Sequence, residues 1–175
     1  LLLEFIYTED RLNNSVSFWH VWKLLYKTVS EHGVWYNGHV LGIYMLSDHR
    51  ALAEGKWHSF NKDNIWLYDK LSIDLGQEPI VIYSIAKSLN GLASDFLEHG
   101  IDWLYRCVHT HPLIELRDYE SNTIYYMEKL FNKYIRNNRM AIRRDNVKKQ
   151  KIIDILSFMV ERESVQAYML REYLA

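Results

Sequence analysis

The stretch SNTIYYMEKLFNKYIRNNRMAIRR, from Ser121 to Arg144, constrains the fold more than any other part of the chain. With each residue turning about 100° along a helix, Ile124, Met127, Leu130, Phe131, Tyr134, Ile135, Ala141 and Ile142 gather on one side. Lys129, Lys133, Arg136, Arg139, Arg143 and Arg144 gather on the other. The spacing predicts one long helix with a face to bury and a face to show. Its apolar side needs cover, which the apolar stripes of Pro79 to Glu98 and of Asn146 to Glu163 are placed to supply.

The positive charge does not stop at Arg144. It continues into Lys148, Lys149 and Lys151, so that nine Lys or Arg stand against one acid, Asp145, between Lys129 and Lys151. The chain as a whole carries a formal charge of −1, so any attraction for an anion comes from this local asymmetry and not from the net field. The patch belongs to the corner between two helices. It reads either as the solvated side of packed helices or as a surface for an acidic partner, protein or nucleic acid.

A hydrophobic fraction of 49% and a charged fraction of 25% over 175 residues are those of a globular chain able to bury a core. One all-α domain over residues 1–175 is expected, with an N-terminal helical portion over 1–112 and a basic C-terminal portion over 118–175. The lone cysteine, Cys107, allows no internal disulfide and no cysteine-rich zinc site, which suits a reducing cytoplasm. No apolar run approaches the roughly 18 residues of a membrane span, and Leu1 to Ile6 lacks the features of a signal peptide. The opening on Leu1, Leu2 and Leu3 suggests a segment of a larger protein.

Punctuation along the chain divides it into helices. Ser15 can cap a helix reaching His32, and Gly33 stops it; Val34 to Ser47 reads as helix or strand. The polar stretch from Asp48 to Lys62 lacks a sustained period. Asp63 can cap a helix over Asn64 to Leu75 that Gly76 ends. From Pro79 one apolar stripe runs straight through Gly91 and reads as one helix reaching Glu98, which His99-Gly100 ends. A short helix over Asp102 to His109 follows, then a loop from Pro112 to Asp118. After the basic helix come Asn146 to Glu163 and finally Val165 to Leu174. Eight or nine helices in antiparallel pairs are expected, stacked as a short repeat array or closed into a globular bundle.

The last third, with IYYMEKLFNKYI followed by IIDILSFMVERESVQAYMLREYL, resembles the paired helices of HEAT and armadillo arrays. That resemblance implies an interaction scaffold. A second resemblance lies in RCVHTH: Arg106 and His111 match the Arg-x4-His motif of the HEPN ribonucleases, all-α proteins that dimerise and cleave RNA without metal. It implies that Arg106 holds a phosphate while His111 moves a proton. The same residues also read as an ordinary helix end before Pro112, and Cys107 stands where that family has a polar residue.

His109 and His111 lie two residues apart and cannot share a helix face, so with Cys107 they make a poor metal set. No phosphate-binding glycine loop and no hydrolase or zinc-protease signature is present. The sequence therefore points to a non-catalytic helical domain that uses no cofactor and no metal. Its partner is expected to be a protein, with nucleic acid as the alternative, and its binding residues to be Lys129, Lys133, Arg136, Arg139, Arg143, Arg144, Lys148, Lys149 and Lys151.

Overall fold

The computed structural model describes residues 62–91, 97–116 and 119–175, together with Lys23, Leu24 and Lys27, which are helical. The chain divides into two compact units, residues 1–56 and 57–175, and the division falls inside the polar stretch between Asp48 and Lys62. The helix expected from Ser15, apart from those three residues, lies outside the described residues. So do Val34 to Ser47 and the polar stretch as far as Asn61.

Among the described residues the second unit is all-helical and has no strand. Six helices are seen there: α1 (Lys62–Asp74), α2 (Pro79–Gly91), α3 (Leu97–Thr110), α4 (Glu120–Arg144), α5 (Asn146–Val160) and α6 (Val165–Leu174). None of them is long and apolar enough to cross a membrane.

The period of Ser121 to Arg144 is realised as α4, and the side predicted to be buried is buried except at Ala141. At about 1.5 Å per residue, these 25 residues span roughly 37 Å, more than any other described helix. Its cover comes from α2 and α5 as expected, and also from α6.

One boundary needs correction. His99-Gly100 does not end a helix that began at Pro79: α2 runs from Pro79 to Gly91, and Glu98, His99 and Gly100 all lie inside α3, which begins at Leu97 rather than Asp102. A β-carbon on Gly100 would stand 2.5 and 2.7 Å from the two methyl groups of Leu89. α2 packs on α3 at that point, and any side chain on residue 100 would require the buried Leu89 to shift. Gly76 behaves as expected, sitting in the turn after α1.

The helices follow a regular scheme. Each consecutive pair packs together, α1 and α2 least, except α3 and α4, which the loop from 111 separates. Each helix also packs on the one two places further on: α1 on α3, α2 on α4, α3 on α5 and α4 on α6. Side-chain contacts give the direction of these second pairs. Asp69 and Ser72 meet Trp103 and Arg106, while Tyr83 and Asn90 meet Tyr119 and Tyr126. Glu98 and Asp102 meet Lys148 and Lys151, and Glu128 and Arg139 meet Ser164 and Tyr173. In every case later meets later, so the paired helices run parallel. Helices α1, α3 and α5 therefore form one layer, and α2, α4 and α6 the other.

Two caps hold the C-terminal turns. Asp145, the single residue between α4 and α5, accepts from the Lys148 backbone N–H at 3.0 Å. The end of α5 closes through Ser164 N–H to the Met159 carbonyl and Glu163 N–H to the Val160 carbonyl, with Glu163 at φ 64°. Ser164 then starts α6: its hydroxyl accepts from Ala167 N–H at 3.0 Å and donates to Glu128 Oε1 at 2.6 Å. Ser164→Ala loses both bonds and is expected to cost about 1–2 kcal/mol, checked by urea denaturation. A change below about 0.3 kcal/mol would mean that the cap contributes nothing beyond what water supplies.

Candidate functional site

The nine basic residues predicted as one patch are divided by the fold into two groups. In the first, cations are engaged inside the protein. Lys148 pairs with Glu98 and Lys151 with Asp102, both at 2.6 Å, and these pairs bridge α5 and α3. The bond from Glu98 holds the Lys148 ammonium above the ordinary lysine range. The Arg139 guanidinium lies over the Tyr173 ring, 3.9 Å from its centre, with Nε shielded from solvent. It joins α4 to α6 by a cation–aromatic contact.

The second group faces solvent. Lys129, Lys133, Arg136, Arg143 and Arg144 are exposed along α4, and Lys149 is half-buried. None of these six is in an ion pair among the described residues. Arg136 is steadied by donating to Asn132 Oδ1 at 2.7 Å, one turn earlier on its own helix. From Lys129 to Arg144 the stripe runs about 22 Å along the axis, with no acid on its exposed side.

The stripe is not purely polar. Tyr125 and Met140 are exposed within it, and Val165, Met169 and Tyr173 are exposed on the neighbouring α6. Sequence reasoning missed this apolar part. The residues at i, i+4 and i+8 from Val165 were legible as one side of a helix, but nothing local marks that side as the one left facing water.

Arg106 and His111 are placed apart in role. The Arg106 guanidinium donates to Asp69 Oδ1 at 2.9 Å and to the Ser72 hydroxyl at 3.0 Å, both on α1. The Trp103 indole N–H donates to the same Asp69 oxygen at 2.8 Å. His111 follows the end of α3, with its N–H on the Cys107 carbonyl. It lines an open groove of about 620 Å³ with Glu78, Pro79, Pro112, Leu113 and Glu115, a lining that does not include Arg106. Cys107 is wholly buried, and burial pushes its thiol up to about 12, which leaves it a neutral packing residue at physiological pH.

The groove wall is anchored from the turn that follows α5. Arg162 donates to the Ile114 carbonyl at 2.7 Å and stacks on Phe158 at 3.6 Å, and burial lowers it below the usual guanidinium range.

No protein-family model matches the sequence, and no curated protein matches it.

Proposed function

We propose that this chain is a helical-repeat interaction domain whose exposed α4 face receives an acidic macromolecular partner. The repeat reading is supported by the two-layer scheme, in which each helix lies parallel to the one two places on. It is supported also by the sequence step of 34 to 37 residues for the hydrogen bonds between α1 and α3, α2 and α4, and α4 and α6. That step is close to the period of two-helix repeats. The step between α3 and α5 grows to 49 or 50 because α4, lying between them in sequence, is longer. Stacked helix pairs recognise partners across an open face.

One observation carries the binding reading: the α4 cations Lys129, Lys133, Arg136, Arg143 and Arg144 are exposed and unpaired, while neighbouring cations of the same run are engaged in the fold. Cations serving only architecture would have partners, as Lys148 and Lys151 do. For Arg106, bonding to α1 supports an architectural role more than a catalytic one.

The test is charge reversal on the exposed group alone. Lys133→Glu, Arg136→Glu and Arg143→Glu together are expected to weaken binding of a labelled polyglutamate peptide at least tenfold, read by fluorescence anisotropy at low salt. Arg139 is left intact, since reversing it would disturb the contact with Tyr173. The melting temperature should fall only slightly, because these residues face water; Arg143 lies in the last turn of α4, where a cation is favoured by a few tenths of a kcal/mol. Equal binding by the reversed and native chains would refute the proposal.

A further inference from the structure

Resting on that reading, we infer that the occupant of the α4 face is an amphipathic helix with one acidic flank, lying along the seam between α4 and α6. A phosphate backbone needs cations and gains little from aliphatic side chains. This surface has both. Val165 is 71% exposed, Met140 63% and Met169 53%, far more than a folded chain needs to leave in water at three such neighbouring places.

The geometry ties the two kinds of residue together. Val165, Met169 and Tyr173 succeed one another at i, i+4 and i+8 on α6, so they form one continuous apolar line. That line ends on α4, because Tyr173 is the ring on which Arg139 lies. Gln166 approaches Asn132 at 3.5 Å, which brings the same edge of α6 alongside α4 about two turns earlier. On α4, Lys129, Arg136, Met140 and Arg143 follow at i, i+7, i+11 and i+14, within about 60° of one another around the axis. Each lies on the rim next to that line.

Two parallel helices with an apolar seam and a basic rim on one side fit a third helix. Its apolar residues at i, i+4 and i+7 would rest on Val165, Met169 and Met140, and acids on one flank would reach Lys129, Arg136 and Arg143. Methionine suits such a seat because its flexible, polarizable side chain adapts to different shapes. The one-sided charge would also fix which way the helix lies, since acids on the opposite flank would face α6 and find no cation of the stripe.

The experiment uses the full chain and three labelled probes. One is a designed peptide of about 18 residues, or five helical turns, with leucine on one stripe and glutamate on one flank. The second has the same composition in scrambled order. The third is a single-stranded RNA of about 20 nucleotides, long enough to cover the whole stripe.

The patterned peptide is expected to bind at least tenfold more tightly than the scrambled one. Val165→Asp and Met169→Asp should each reduce its affinity about tenfold while leaving the melting temperature unchanged, and Met169→Ser should reduce it less. Equal affinity for patterned and scrambled peptides would overturn the amphipathic helix while leaving an acidic partner standing. Tighter binding of the RNA would overturn the protein partner. If none of the three binds, the reading of α4 as a binding face falls as well.

Discussion

Trp103→Ala is expected to cost about 3–5 kcal/mol, a large part of the 5–15 kcal/mol that holds an ordinary domain together. The indole is completely buried on α3. It stacks on Tyr68 of α1 at 4.9 Å and lies 5.9 Å from the His99 ring. Its N–H is satisfied by Asp69 at 2.8 Å. Alanine would remove all of these contacts and leave a void that the neighbouring helices cannot close fully.

Trp103→Phe separates packing from hydrogen bonding. It keeps a ring against Tyr68 and leaves Asp69, whose side chain is 40% exposed, to be solvated and still paired with Arg106. About 1–2 kcal/mol is expected for that change. Urea denaturation of both variants gives the comparison. A loss under about 1 kcal/mol for Trp103→Ala would mean that α1 contributes little to the stability of the unit.

The second large effect is at Gly100. Gly100→Val should destabilise by about 3 kcal/mol, because its β-carbon would enter the space held by Leu89, itself almost wholly buried. Gly100→Ala should cost less, since better helix propensity returns about 1 kcal/mol. Leu89→Ala alone costs about 2–5 kcal/mol, yet in combination with Gly100→Val it vacates the contested volume. The double variant is expected to be more stable than the sum of its parts by about 1–3 kcal/mol. Strict additivity in a double-mutant cycle would show that Leu89 does not limit the space at Gly100.

Gly100 also shows where sequence reading meets its limit. Local pattern was enough for α4, whose apolar period is interrupted only around Asn138, and for α6, predicted over Val165 to Leu174 and found there. It was enough to place a turn at Gly76. A glycine beside His99 has the local look of a helix stop, but whether it stops a helix depends on what lies across from it. Leu89 is remote in sequence and lies on a different helix. The same limit applies to charge. Every lysine and arginine of the patch was visible, but Glu98 and Asp102, which engage Lys148 and Lys151, are 50 and 49 positions away. Periodicity tells which residues share a side of a helix; tertiary pairing decides which side remains open.

The two ion pairs between α3 and α5 have a consequence of a different kind. Each is partly exposed, and such pairs contribute about 0.2–1 kcal/mol, so neither holds the helices together. Their spacing matters more than their strength. The acids are four residues apart on α3 and the lysines three apart on α5, nearly one turn in both cases. If α5 slid along α3 by one turn, about 5.4 Å, at most one acid could meet a lysine and the other pair would be lost. The lysines thus act as a vernier: they select one register for two helices whose apolar sides alone would tolerate several, and so fix where along the domain the α4–α6 seam begins.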